Sequence, residues 1–310
     1  MSKAKQIAAK LNGVVGVMNT PFTETDKIDR PSIKRYIDHY IKNNVCGFLL
    51  TAMASEVNKL SIDERLLIVQ TALEKTAGKV PVIAGIAAKN QKERLFLTKK
   101  YMSFGCDGIM VNIPYGNEQE FVEQVGEIST NIDGLLMLQD WDFENTGIPL
   151  NVILDLYGRI ESFECLKVEV KPAGLKYSQV IAATKGKLNV SGGWASSQMI
   201  EGLDRGVNAF MATILPDVYS KIHRLHKAGK REQALDLFKK LVPILAFSHQ
   251  HIDISIHFNK RLVFAQKLFS TANVRQPILA FDDFHSRISE ELIAEALLLS
   301  STAAFNHSQS

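Results

Sequence analysis

Eight short apolar runs, each followed by a longer amphipathic stretch, constrain the fold of this chain more than any other feature. They cover residues 14–19, 47–51, 80–85, 108–112, 135–139, 163–168, 188–191 and 209–212. Each is rich in Val, Ile and Leu and ends near small or polar residues, the pattern of a buried parallel strand. Their starts lie roughly 20–35 residues apart, the spacing of βα units. Eight such units close a barrel. The expected fold is therefore α/β: a (β/α)8 TIM barrel over residues 13–225, with a C-terminal helical extension over 226–302 packed on it.

Helix signals fill the gaps. Ser61-Ile62-Asp63-Glu64 is a Ser-x-x-Glu capping box ahead of Leu66 and Leu67. Helices are expected over 90–104, 118–132 and 149–158, the last with Pro149 in its first turn. Gly105, Gly158 and Gly206 are read as helix-ending caps. After residue 216 no strand pattern recurs. Periodic segments over 216–228, 231–247, 254–270 and 289–299 read as helices laid against the barrel or a neighbouring subunit. Residues 1–12 and 303–310 are read as frayed ends.

Composition excludes several classes of function. With 46% hydrophobic and 22% charged residues the chain is neither disordered nor fibrous. No apolar run approaches the roughly 18 residues of a membrane helix. No signal-peptide core is read near the start, so the expected location is cytoplasmic. A net charge of +3, with acids interleaved among the bases, gives no nucleic-acid footprint. Cys46, Cys106 and Cys165 form no C-x-x-C pair and read as core-lining thiols. The histidines show no H-E-x-x-H context and read as surface or structural groups.

In a barrel of this kind the chemistry sits at the C-terminal ends of the strands. The sixth run, Phe163-Glu164-Cys165-Leu166-Lys167-Val168-Glu169, sets a lysine among apolar neighbours. Alternation puts Lys167 on one face with Cys165 and Glu169. An interior lysine is disfavoured unless paired or used, and burial favours the free amine that attacks a carbonyl. The plain alternative is a rim lysine paired with Glu169.

Further residues carry a resemblance. Asn19-Thr20-Pro21-Phe22, Ile28-Asp29, Ser55-Glu56, Leu60-Ser61 and residues 80–85 follow one another in order. Pro114-Tyr115, Leu166-Lys167, Ser191-Gly192-Gly193 and Val274-Arg275-Gln276-Pro277 continue the series. In this order and spacing the chain resembles the dihydrodipicolinate synthase/N-acetylneuraminate lyase family, whose members are (β/α)8 barrels of class I aldolase type. The resemblance implies a Schiff base between Lys167 and a 2-keto acid such as pyruvate. No cofactor and no metal are expected. It also implies a homo-oligomer, dimer or tetramer.

The departures from that family matter equally. Where the family has Gly-Thr-Thr-Gly-Glu, this chain has Ala52-Met53-Ala54-Ser55-Glu56. The second of two adjacent tyrosines is Gly116. The acid/base tyrosine of the fifth strand is Gln139, in Leu138-Gln139-Asp140-Trp141-Asp142, and Glu144 and Asn145 stand where an arginine usually follows. An amide cannot act as an ordinary general acid. The expected catalytic set is thus Lys167, Glu169, Asp140, Gln139 and Tyr115, with Asp140 or Glu169 as proton carrier and Asp142, Tyr115 or water as alternatives. The Asp140–Asp142 stretch also reads as a turn of solvated acids. Expected substrate contacts are Ala52, Met53, Ala54, Ser55, Gly192 and Gly193. The backbone of residues 51–55 is the candidate carboxylate cradle. Trp194 packs on the next helix or touches the ligand.

The expected activity is that of a lyase, aldolase or dehydratase acting on a small 2-keto acid. Dihydrodipicolinate synthesis itself is not expected. Two rivals stay open: a keto-acid-binding protein that has lost catalysis, and a metal-assisted keto-acid lyase. For the latter, Asp140, Asp142 and Glu144 have suitable side chains but no recognised spacing.

Overall fold

The computed structural model describes residues 1–305. Eight parallel strands close into a barrel in sequence order. They are β1 (Gly13–Val17), β2 (Gly47–Leu50), β3 (Val82–Gly85), β4 (Gly108–Val111), β5 (Leu135–Asp142), β6 (Phe163–Val170), β7 (Asn189–Gly192) and β8 (Ala209–Ala212). β1 pairs with both β2 and β8, so the sheet has no free edge. The fold is the (β/α)8 barrel that the alternation of runs predicts.

Around and beyond the barrel lie α1 (Lys3–Lys10), α2 (Arg30–Lys42), α3 (Ile62–Thr76), α4 (Gln91–Ser103), α5 (Glu118–Ser129) and α6 (Leu150–Arg159). They are followed by α7 (Ala173–Thr184), α8 (Met199–Asp204), α9 (Pro216–Lys227), α10 (Arg231–Ser248), α11 (Ile252–Ala265) and α12 (Asp283–Phe305). Side-chain caps fix several starts. Asp29, Asn90 and Asn117 accept N–H groups of their first turns, and Ser61 and Glu64 close the reciprocal box on α3. Gly105 and Gly206 follow their helices at φ +92° and +93°. Gly158 is not a cap; α6 runs through it to Arg159.

The N-terminal residues are not frayed. α1 closes the lower end of the barrel, where Ile7, Ala8 and Leu11 pack with Val15, Leu49 and Ile83. Asn189 Nδ2 locks them by donating to the carbonyls of Ala8 (3.0 Å) and Leu11 (2.8 Å). Residues 303–305 continue α12, and the rest of the expected C-terminal fray, 306–310, lies outside the described residues.

Two apolar layers follow from strand alternation. Leu135, Met137 and Cys165 belong to the cluster inside the barrel. Leu136, Leu138, Leu166, Val168 and Val170 belong to the larger cluster between strands and helices. Full burial of each such side chain stabilises the fold by roughly 1.5–3 kcal/mol. The same alternation continues upward. It turns Gln139, Lys167 and Glu169 inward and Asp140 outward.

β5 and β6 are eight residues long and overtop their neighbours. Their pairing sets Gln139 beside Lys167 and Trp141 beside Glu169. The Asp140–Asp142 stretch is therefore strand rather than a solvated turn.

Candidate active site

A cavity opens at the C-terminal end of the barrel. Lys167, Glu169 and Gln139 line it from β5 and β6, Ala52, Met53 and Ala54 from the loop after β2. Lys167 Nζ lies 2.9 Å from Glu169 Oε2, and both side chains are buried. Glu169 also accepts the Gln139 amide and, at 2.8 Å, the Trp194 N–H. Asn112 Nδ2 donates to Gln139 Oε1 at 3.0 Å, which turns the amide nitrogen of Gln139 toward Glu169. A chain of polar contacts thus runs Asn112, Gln139, Glu169, Lys167.

Gly193 is required by this arrangement. A Cβ there would overlap the Glu169 carboxyl group. Gly192 instead faces outward, where a Cβ would meet the Tyr177 hydroxyl and the Phe210 ring. Of the two expected glycine contacts, only Gly193 lines the cavity.

The loop after β2 is held from below. Asn19 Nδ2 donates to the Ala54 carbonyl (2.7 Å) and Thr20 Oγ1 to that of Ser55 (2.6 Å). Ser55 Oγ donates to the Met18 carbonyl (2.6 Å) and accepts the Ala52 N–H (3.2 Å). Ser55 is therefore a buried brace and not a cavity group, contrary to its expected place. Below it, Glu56 is wholly buried and pairs with Lys260, Lys59 (3.2 Å) and the Arg275 N–H (2.9 Å). Lys260 stands 4.1 Å from the centre of the Phe22 ring, and burial pulls its pKa down to about 8 against the opposing pull of Glu56. This network joins the loop to α11.

Asp140 does not meet Lys167. Its Oδ1 accepts the Ile148 N–H at 2.8 Å, and its Oδ2 pairs with Lys176 at 3.3 Å. Lys176 also donates to the carbonyls of Thr146 (2.8 Å) and Ile148. Asp140 is a latch on the loop between β5 and α6, and its burial raises its pKa. Asp142 caps the same loop by accepting the N–H groups of Glu144 (2.9 Å) and Asn145 (2.8 Å), which lower its pKa. Among the described residues no three His, Cys, Asp or Glu side chains are grouped to hold a metal. Tyr115 is half-buried on the loop beyond β4, its hydroxyl 3.4 Å from Glu118 and its ring against Phe121, and it does not line the cavity. The three thiols are inert to proton transfer, since burial pushes each up to about 12.

Several groups of the site carry no local signal in the sequence. Asn112, which orients Gln139 without lining the cavity, could be found from its place just beyond β4. Tyr219, Ser248, His249 and Asn259 come from α9, α10 and α11, far along the chain from Lys167.

The fold and the interior lysine beside a carboxylate define a (β/α)8 barrel with an amine-bearing cavity at its C-terminal mouth. The chain belongs to the dihydrodipicolinate synthetase family, whose sequence model matches residues 10–296. A 4-hydroxy-tetrahydrodipicolinate synthase from Caldicellulosiruptor bescii is 26% identical over 234 residues, 73% of this chain and 78% of that protein. In fold, the chain is similar to dihydrodipicolinate synthase from Rhodopseudomonas palustris. The TM-score is 0.86 at 23% identity, covering 92% of this chain and 98% of the other. The sialic acid aldolase of Ruminococcus gnavus gives a TM-score of 0.85 at 16% identity, covering 94% and 99%. Lyases of class I aldolase type are the family's chemistry. Among the described residues no helix is long and apolar enough to cross a membrane.

Proposed function

We propose that this protein is a Schiff-base-forming carbon–carbon or carbon–oxygen lyase acting on a 2-keto acid, with Lys167 as the amine and Glu169 as its proton carrier. The observation that carries this reading is the 2.9 Å contact between Lys167 Nζ and Glu169 Oε2 inside the cavity. Transfer of one proton from Nζ to Glu169 leaves a free amine. Its lone pair attacks the keto carbon, and a proton passes from the attacking nitrogen to the carbonyl oxygen, which becomes the hydroxyl of a carbinolamine. Glu169 then returns a proton to that hydroxyl, which leaves as water, and the C=N bond forms. Gln139 and the Trp194 N–H hold the carboxylate in reach of both atoms without exchanging protons themselves. The N–H groups of Met53 and Ala54 begin a short turn on the cavity wall and suit a substrate carboxylate.

Dihydrodipicolinate synthesis is outside this proposal. The proton-relay positions that the family resemblance marks hold Met53, Gly116 and Gln139, and no arginine lines the cavity. The assembly we propose is a homo-oligomer whose active sites are each built from one subunit. A monomer in light scattering at micromolar concentration would contradict that.

One observation favours a second reading, a keto-acid-binding protein without turnover: Glu169 is fastened by three donors, the Lys167 amine among them. Pyruvate with sodium borohydride separates the two. Mass addition at Lys167, and not at Lys171 or Lys176, supports the imine. Binding without addition across a panel of small 2-keto acids sinks it.

A further inference from the structure

We infer that the cavity wall contributed by α10 and α11 is a subsite for an uncharged, hydroxyl-bearing group, the part of the substrate distal to the keto acid. The inference rests on the proposed imine chemistry only in saying which half of the substrate lies there.

The wall has polar groups that no protein group satisfies. Ser248 is 1% exposed, lines the cavity, and its Oγ has no hydrogen-bond partner. Next to it, His249 Nδ1 is buried and equally without a partner. Buried polar groups are normally paired, so two adjacent orphans on residues that line one cavity mark a place for something else to bind. Asn259, also 1% exposed, donates through Nδ2 to Thr213 Oγ1 (2.9 Å) and Ser255 Oγ (3.2 Å). Both hydroxyls serve there as acceptors, so each keeps its own hydrogen to donate. All of these residues line the same cavity.

The charge of the cavity decides the class of ligand. Among the described residues that line it, Lys167 and Glu169 are the only side chains of full charge, and they pair with each other. His249 is neutral above acidic pH, because burial lowers its pKa to about 4. The Trp194 ring stacks at a tilt 5.0 Å from the imidazole and fixes its orientation. A second carboxylate or an ammonium would enter without a counter-ion, and a buried unpaired charge is strongly disfavoured. An alkyl or aryl tail would leave Ser248 and His249 unpaired. A hydroxyl both donates and accepts, so it satisfies Ser248 Oγ and either tautomer of His249. The class that fits is a short hydroxyaldehyde, as acceptor or as leaving fragment.

The test is a calorimetric titration of the full chain with three aldehydes: glyceraldehyde, butyraldehyde and succinic semialdehyde. It is run on the pyruvate–borohydride adduct and in parallel on the untreated protein. Glyceraldehyde is expected to bind at least tenfold more tightly than the other two. Ser248→Ala and His249→Phe are each expected to erase that preference, with thermal melting as the folding control. Equal or reversed preference in the wild type, or a preference unmoved in both folded variants, overturns the subsite. Failure to form the adduct overturns the imine instead, and the titration of untreated protein still decides the subsite.

Discussion

Gly193 and Glu169 are packed so that the glycine has no room for a side chain: a Cβ would overlap the Glu169 carboxyl group. The backbone beyond β7 thereby presses the carboxylate toward Lys167, while the Trp194 N–H pins its other oxygen. Gly193→Ala should push Glu169 off Lys167 with little effect on the barrel, since the displaced atoms are a side-chain end. The expected outcome is pyruvate–borohydride labelling slowed roughly a hundredfold or more, the range of one acid/base group. Labelling at the wild-type rate would mean that Glu169 does not carry the proton.

Glu169→Gln and Asp140→Asn separate the two carboxylates that sequence reasoning left as equals. Glu169→Gln keeps the shape but cannot take a proton, so imine formation should slow by roughly a hundredfold or more. Asp140→Asn should label at nearly the wild-type rate. It should instead destabilise the protein by roughly 3 kcal/mol, because Lys176 loses a buried counter-charge. Urea unfolding measures the second effect and mass spectrometry the first. The opposite pattern would return Asp140 to the reaction.

How far the site was legible depends on where each residue lies. Lys167 and Glu169 share one strand, so alternation alone puts them on one face. Gln139 and Asp140 are neighbours, so the same alternation must separate them. Ending β5 at residue 139 hid this, and pairing with β6 extends the strand to Asp142. Ser55 read as a ligand donor because its hydroxyl follows β2, but Met18 and Ala52 occupy it. Tyr115 was placed by motif, and a motif does not say which way a loop leaves the rim. The contributions of α10 and α11 were invisible for a different reason. A 3.6-residue period tells which face of a helix is buried, not which end of a distant barrel it meets.

Purified protein offered pyruvate and aspartate semialdehyde should make no useful product of dihydrodipicolinate synthesis. Gln139 cannot relay protons, Gly116 offers no hydroxyl, and the cavity wall holds no arginine for a second carboxylate. A coupled reductase assay reads the rate. Turnover within tenfold of an ordinary enzyme, about 10 per second, would refute the prediction.

Lys260 gives the fold a distinct alkaline signature. It is wholly buried against Glu56, and its pKa falls from an ordinary 10.5 to about 8. Below pH 8 it is protonated in both folded and unfolded chains, and burial of the ammonium weighs against the folded one. Between pH 8 and 10.5 the unfolded chain retains a proton that the folded chain has released. Stability from this group therefore rises with pH through that window and is lost as pH falls back through it. Its full contribution to the slope is one proton, about 1.4 kcal/mol per pH unit. Lys260→Met has no proton to release, so its stability curve should lack this rise, although Glu56 keeps Lys59 and the Arg275 N–H as partners. Urea midpoints measured at half-unit steps from pH 7.5 to pH 10 should show the wild-type curve climbing relative to the variant's. Parallel curves would mean that Lys260 keeps its proton throughout, held as a permanent ion pair with Glu56.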